Sequence, residues 1–110
     1  MSVIKELEPK IAENGTLVID SIFRFSEKPT ELPAFLQMCK MKRCIVKFEL
    51  ENLICEPDGD LRDCDSDVKY GSLLTCSFIA YMTFYQKFAG KHFDYLMNLA
   101  SKKDDFVKAV

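Results

Sequence analysis

The chain contains no tryptophan, a single histidine and only four glycines among its 110 residues. With four scattered glycines it has no Gly-rich phosphate-binding loop, and the Walker and dinucleotide-binding motifs are absent. A Ser–His–Asp or Cys–His centre would need His92 as its base, because the sequence offers no other histidine. Sequence alone leaves a spatial pairing of His92 with Cys76 open, but a lone histidine at a helix start is more typical of a surface or capping residue. The composition therefore argues against an enzyme.

A strong excess of charge of either sign is also missing. The formal net charge is −2 and the isoelectric point is near 5.4. A protein that binds nucleic acid by releasing counterions needs a basic surface, so no nucleic-acid partner is expected. A length of 110 residues with 48% hydrophobic and 29% charged content is typical of one globular domain, spanning residues 1–110.

No segment is long and apolar enough to predict a membrane span. Residues 70–86 carry no charge, but they are at the short limit for a spanning helix and are interrupted by Ser, Thr, Tyr and Gln. The first ten residues are charged and lack the apolar core of a secretory signal. We therefore expect a soluble, cytoplasmic protein without a membrane partner.

The five cysteines are odd in number, and no two are spaced as C-x-x-C. In a reducing compartment we expect free thiols, most of them acting as small core hydrophobes. A zinc site would need four converging ligands, and His92 alone joins the thiols without any recognised spacing. We expect neither a metal nor a cofactor. The cysteines are Cys39, Cys44, Cys55, Cys64 and Cys76.

Apolar residues at helical spacing predict three helices. The first covers residues 2–13, with a kink or restart at Pro9. The second covers residues 28–41, with Thr30 as its N-cap. The third begins at about Lys91. The predicted buried stripes are Val3, Ile4, Leu7 and Ile11; Leu32, Phe35, Leu36 and Cys39; and Phe93, Leu96, Met97 and Ala100, with Phe106 and Val107 in a final turn.

Alternating apolar and polar residues predict strands at residues 16–26 and 43–55. Residues 72–89 leave two interpretations open: alternation favours a strand, whereas length and Gly90 favour a helix, and the strand is preferred. The predicted inward positions are Leu17, Ile19, Phe23 and Phe25, then Cys44, Val46, Phe48 and Leu50; the predicted outward ones are Asp20, Arg24, Lys47, Glu49 and Glu51.

This order of elements predicts an α+β fold. We expect a small antiparallel sheet of about three to four strands, covered on one face by helices and followed by a C-terminal amphipathic helix. Nine Phe and four Tyr are many rings for one small core. With Tyr81 and Tyr85 on the outer face of the last predicted strand, a homodimer is expected.

An acidic stretch, residues 55–67, holds six carboxylates against one arginine. Asp63, Asp65 and Asp67 match the first three ligand positions of an EF-hand loop, but Val68 replaces its glycine and Leu74 its final glutamate. Both positions that close the calcium cage therefore fail. The remaining interpretations are a solvated bend and a surface that steers a partner. A short basic cluster, Lys40–Arg43, is typical of a helix C-terminus.

The preferred hypothesis is a non-enzymatic protein-interaction module, such as an inhibitor, immunity-type or adaptor protein. Its acidic loop would meet a protein partner with a basic surface. The alternative is a small metal- or ligand-responsive enzyme or sensor that uses the aspartates or a thiol. The candidate binding residues are Glu56, Asp58, Asp60, Asp63, Asp65 and Asp67.

Overall fold

The computed structural model describes residues 3–25, 28, 30–70, 85–101 and 107–109. These residues form α-helices, short strands and two 3-10 turns, and residues 85–87 are also helical. The helices are α1 (Val3–Leu7), α2 (Glu31–Met41) and α3 (Ala89–Ser101); the strands are β1 (Thr16–Ile19), β2 (Ile45–Phe48), β3 (Leu53–Cys55), β4 (Arg62–Asp63) and β5 (Val107–Ala109); the 3-10 turns are Glu8–Lys10 and Ile22–Phe25.

The fold is α+β with a C-terminal helix, as predicted, but the sheet is mixed. Its strand order is β4-β3-β2-β1-β5. The central strands β1 and β2 run parallel, and the other pairs are antiparallel. The predicted small sheet of an α+β fold is therefore confirmed, and the one difference in direction is that β1 and β2 pair parallel and not antiparallel. Because α2 connects β1 to β2, the chain returns to the same end of the sheet before β2 begins, which makes this pair parallel.

One face of the sheet is buried and the other is partly exposed. Buried residues alternate with half-buried or exposed ones along β1, β2 and β3. The buried side chains pack with residues of the helices in one core, and each large one contributes roughly 1.5–3 kcal/mol by leaving water. On the sheet they are Leu17, Ile19, Val46, Phe48, Leu53 and Cys55.

The first two helices largely follow the sequence pattern. The four predicted stripe residues of α2, Leu32 to Cys39, are all buried. The N-terminal helix ends at Leu7 and continues as a 3-10 turn that contains Pro9, which lacks the N–H an α-helix would use there. Thr30 occupies the N-cap position of α2 without a side-chain hydrogen bond.

Both predicted strands are shorter than the alternation suggested. The first ends at Ile19, and Phe23 and Phe25 are buried on the 3-10 turn instead. The second is a hairpin, β2 and β3, whose turn is made by residues 49–52 with Asn52 at φ 56°. The first strand ends after Ile19 because the Glu51 and Ser21 side chains accept the N–H groups of Ile22 and Phe23.

The C-terminal helix is where the predicted burial fails most clearly. Phe93, Leu96 and Met97 are 63%, 48% and 58% exposed, whereas Tyr95 is buried. The structure thus turns the other side of α3 to the core. Val107 lies in β5, paired with β1, and not in a helical turn.

The uncharged stretch lies mostly outside the described residues. The strand predicted over residues 72–89 lies outside the described residues as far as residue 84. Its last part differs from the prediction, because residues 85–87 are helical. Tyr85, which was predicted on an outer strand face, packs edge-on against Phe23 with ring centroids 5.0 Å apart. Tyr81, Cys76 and Leu74 fall among the residues not described. Within the described ranges, no helix is long and apolar enough to cross a membrane.

Candidate functional site

The acidic loop is held against the sheet by backbone hydrogen bonds. Cys64 N–H donates to Asn52 O over 2.9 Å, and Tyr70 N–H donates to Leu61 O over 2.6 Å. Leu61 and Tyr70 are buried beneath the loop. The carboxylates therefore stand on an ordered scaffold and not on a free coil.

Three of the six carboxylates form ion pairs within the chain, and we call Glu56, Asp58 and Asp60 the loop base. Asp58 receives two hydrogen bonds from the Arg43 guanidinium, at 3.0 and 3.2 Å, and this contact lowers the pKa of Asp58. Glu56 lies 2.6 Å from Arg62 Nη2, and the remaining contact joins Lys40 to Asp60 at 4.0 Å.

The basic cluster therefore meets the base of the acidic loop. Arg43 and Lys40, both in the stretch assigned to a helix C-terminus, supply two of these three ion pairs. The sequence showed the two charged stretches but gave no sign that they touch, since Arg43 before β2 meets Asp58 after β3 only when these strands pair antiparallel. Three of the six carboxylates of the acidic loop thus have a cationic partner within the chain, at its surface.

The other three carboxylates, Asp63, Asp65 and Asp67, form what we call the acidic tip. Asp63 Oδ1 accepts the backbone N–H of Asp65 over 2.8 Å, and Asp65 Oδ2 accepts a hydrogen bond from the Asn52 side chain. No lysine or arginine in the described part of the chain lies within ion-pair distance of these three residues. Asp65 and Asp67 are exposed. The tip is therefore a negatively charged surface whose electrostatic interaction with Arg62, through Asp67, stops short of an ion pair.

Metal binding at the tip has no geometric support. Among the residues that the structure describes, no three His, Cys, Asp or Glu side chains are grouped so that they could hold an ion. Val68 stands where an EF-hand loop needs glycine for its sharp turn, its φ is not positive, and its carbonyl oxygen accepts the Asp63 N–H over 2.9 Å.

An open groove of about 490 Å³ lies at the amino ends of β1 and β2. Gly15 and Thr16 form one wall, and the loop around Pro57 forms the other. Of its three charged groups, Arg43 and Asp58 bind each other, and Glu56 lies 2.6 Å from Arg62. These pairs would have to separate before any of the three groups could bind a ligand.

Polar side chains of a second cluster follow β1 and β2 at their carboxyl ends. Glu51 is 2% exposed, and its two carboxylate oxygens accept hydrogen bonds from the Ser21 hydroxyl at 2.6 Å and the Ile22 N–H at 2.9 Å. Ser21 Oγ in turn accepts the N–H of Phe23 over 3.0 Å. These bonds satisfy the first donors of the 3-10 turn at Ile22–Phe25 and so end β1. The predicted outward position of Glu51 is wrong.

Asp20 extends this cluster toward α3. Its Oδ1 accepts a hydrogen bond from Arg24 Nε at 2.9 Å, and Arg24 also lies 3.2 Å from Glu6. Asp20 Oδ2 is buried without a hydrogen-bond partner. Burial raises the pKa of Asp20 despite the arginine, and burial together with the Asp20 charge raises the pKa of Tyr95 to about 12.

His92 is half-buried and packs among aromatic rings. Its imidazole is 4.5 Å from the Phe23 ring and 5.0 Å from the Tyr85 ring, between centroids. Its Nδ1 is buried and makes no hydrogen bond. A general base would need an acceptor nitrogen in reach of a nucleophile, and no such pair involving His92 occurs among the described residues.

Three of the described thiols, Cys39, Cys44 and Cys55, lie in environments that disfavour thiolate chemistry. Burial raises the pKa of Cys39 to about 12, and it also raises the pKa values of Cys44 and Cys55. A thiol acts as a nucleophile or metal ligand through its thiolate, so these three behave as core residues. Cys39 and Cys44 thus confirm the expected role of small core hydrophobes.

The exposed face of α3 is a feature that the sequence pattern assigned to the core. Phe93, Leu96 and Met97 are spaced i, i+3 and i+4, so their side chains share one side of the helix. Together they expose on the order of 300 Å² of apolar surface, the size of patch that is often functional on a small protein. The helix is apolar on two sides, and periodicity cannot say which side meets the core.

Comparison with known proteins gives no relative for this chain: no protein-family model, no curated protein and no solved structure matches it.

We expect the unfolding free energy to depend on pH through Asp20 and Glu51. Burial raises both pKa values, so the folded chain binds these protons more tightly than the unfolded chain. Their contribution is fully present below the unfolded values of about 4, and it is lost as the pH rises through the raised folded values. Urea unfolding from pH 4 to pH 8 should show the native protein losing stability relative to the Asp20→Asn, Glu51→Gln variant. A constant difference across that range would contradict the prediction.

Proposed function

We propose that the protein is a non-enzymatic interaction module whose acidic tip meets a basic surface on a protein partner. The observation that carries this proposal is the division of the acidic loop. The loop base is paired with Arg43, Arg62 and Lys40, while the tip carboxylates lack such pairs among the described residues. Unpaired surface carboxylates on an ordered scaffold attract a basic partner over a distance of about one Debye length, roughly 8–10 Å.

The position of the tip supports this role. The tip begins at Asp63 in the edge strand β4, and the Asn52 side chain and the Asn52 carbonyl bond to Asp65 and Cys64. An ordered negative surface loses little conformational entropy on binding, which favours recognition. Charges at such a rim mainly increase the association rate and select partners of opposite sign.

An inhibitor, immunity-type or adaptor role in the cytoplasm fits the same features. The four cysteines that the structure describes, Cys39, Cys44, Cys55 and Cys64, are all free thiols. Free buried thiols persist in a reducing compartment. The alternative of an enzyme or sensor that uses a buried thiol is disfavoured, because burial raises the pKa of Cys39. A sensor that binds metal through the aspartates would need three grouped ligands, which the described residues do not provide.

Two matched triple variants test the proposal. Asp63→Asn, Asp65→Asn, Asp67→Asn removes the tip charges, and Glu56→Gln, Asp58→Asn, Asp60→Asn removes the same number from the loop base. Asparagine keeps the acceptor oxygens that Asp63 and Asp65 use. In affinity capture from host lysate, we expect the tip variant to lose a salt-sensitive basic partner that the native protein and the base variant retain.

The association rate with the captured partner measures how much the tip charges contribute to binding. The tip variant should associate about three- to tenfold more slowly at low ionic strength, with a weaker dependence on salt. The base variant should slow association less than the tip variant, because its carboxylates lie beside Arg43, Arg62 and Lys40 while the tip carboxylates form no such pairs among the described residues. Equal rates for the native protein and the tip variant at low salt would refute the proposed role of the tip.

A further inference from the structure

The C-terminus of α2 ends in a Schellman motif that brings two cysteines together. The C-cap of the helix is Lys42, and the next residue, Arg43, has φ 55°. Arg43 N–H donates to Lys40 O over 3.0 Å, and Cys44 N–H donates to Cys39 O over 2.8 Å. These two hydrogen bonds define the motif, and the residues at the positions of Cys39 and Cys44 commonly make an apolar contact in it.

In this chain both residues of that contact carry a thiol. Because the Cys44 N–H bonds to the Cys39 carbonyl, standard backbone dimensions limit the distance between their Cα atoms to roughly 6.5 Å at most. The Cα atoms of disulfide-bonded cysteines are usually about 4.4–6.8 Å apart. The end of the helix therefore holds the two residues at a spacing that a disulfide accepts.

Both thiols lie in the core, where a third thiol is also near. Cys39 and Cys44 are each 1% exposed. Burial raises the pKa of Cys39 to about 12, and the next largest contribution comes from Cys44, ahead of Cys55. Since the interaction between charges falls with distance, this order makes Cys44 the nearer neighbour of Cys39. Cys55, on β3, is the competing partner.

We propose that Cys39 and Cys44 form a structural disulfide when the protein is exposed to hydrogen peroxide. One thiol takes an oxygen from the peroxide and becomes a sulfenic acid, which releases one water. The second thiol attacks that sulfur, the S–S bond forms, and the sulfenic oxygen leaves as a second water. The two sulfurs together lose two electrons, and the peroxide gains them.

The disulfide is a slow cross-link and not a rapid sensor. Burial raises the pKa of both thiols, so little thiolate is present, and the oxidant reaches them only when the end of α2 opens. Once formed, the bond spans the segment that carries Lys40 and Arg43, which pair with the loop base. It restricts the unfolded chain and so stabilises this end of the helix.

Peptide mapping of the peroxide-treated protein tests the pairing. The native protein is oxidised at about pH 8, near the ordinary pKa of a thiol, and its remaining thiols are then alkylated. Trypsin cuts after lysine and arginine, and Lys40, Lys42 and Arg43 all lie between the two cysteines. We therefore expect two tryptic peptides joined through Cys39 and Cys44, which separate on reduction.

Two variants and a thermal melt complete the experiment. Cys44→Ala should abolish the linked peptides, whereas Cys64→Ala, which removes a half-buried thiol of the acidic loop, should retain them. The thermal midpoint of the oxidised native protein should rise by about 5 °C and fall back on reduction. Peroxide should cause no such rise in Cys44→Ala.

Three results would overturn the proposal. The first is a mapped bond between Cys39 and Cys55, or any other pairing, in place of Cys39 with Cys44. The second is a native protein whose thiols all stay reduced under conditions that oxidise a urea-unfolded sample. The third is a linked protein whose thermal midpoint is unchanged or lower, since the bond would then not stabilise the helix end.

Discussion

Replacing Glu51 with alanine is expected to reduce the free energy of unfolding by about 2–4 kcal/mol at neutral pH. Glu51 is almost completely buried, and its carboxylate accepts hydrogen bonds from the Ser21 hydroxyl and the Ile22 N–H. Alanine leaves both donors buried without a partner and opens a cavity where the side chain lay. Urea unfolding at neutral pH measures the loss directly.

Two matched variants separate this network from ordinary truncation. Glu51→Gln keeps an acceptor oxygen for Ile22 and should cost much less than alanine, because the volume and one hydrogen bond remain. Glu49→Ala changes an exposed glutamate of the same turn and should stay within about 0.5 kcal/mol of the native protein. If Glu51→Ala were no more destabilising than Glu49→Ala, the buried network would contribute nothing measurable to the fold.

Replacing Arg24 with leucine is the second substitution with a large expected effect. Arg24 and Asp20 are only 14% and 11% exposed, and Arg24 bonds to an Asp20 oxygen at 2.9 Å. Without the guanidinium, the Asp20 carboxylate loses the one charge partner that lowers its pKa. Removing one member of a largely buried ion pair leaves the other uncompensated, so we expect a loss of about 2–3 kcal/mol.

A double-mutant cycle assigns that loss to the pair. Asp20→Asn combined with Arg24→Leu should recover at least about 1 kcal/mol relative to Arg24→Leu alone, since no buried charge is then left unpaired. Glu6→Gln removes the more exposed partner of Arg24, whose side chain is 48% exposed, and should have a small effect. Additive effects of Asp20→Asn and Arg24→Leu would contradict the assigned coupling.

Local patterns predicted the elements whose partners lie nearby in sequence. The stripe of α2 was correct because its four buried residues are large or apolar and fall on one side of a helix. The alternation in β2 and β3 also placed Val46 and Phe48 inward. The break at Pro9 follows from the missing N–H of proline and needs no tertiary contact.

The errors arise where a distant residue changes the local preference. Residues 20–25 alternate like a strand, yet Glu51, about thirty positions later, binds the Ile22 N–H and stabilises a 3-10 turn. The paired loop base was equally invisible, because Arg43 and Asp58 meet only after the hairpin has formed. The sequence does not distinguish among the six carboxylates. Their positions in the fold decide which three form ion pairs and which three make up the tip.

By itself the sequence determined the α+β class, the three helices, the inward residues of the short strands and the acidic character of the loop after β3. These properties depend on side-chain periodicity and composition, which act over a few neighbouring residues. The tertiary structure alone decided the parallel pairing of β1 with β2, the burial of Glu51, the division of the acidic loop and the side of α3 that faces outward. α3 has apolar residues on two sides, and since a helix can turn only one of them to the core, the packing of the whole chain decided that Tyr95 is buried and Phe93 exposed.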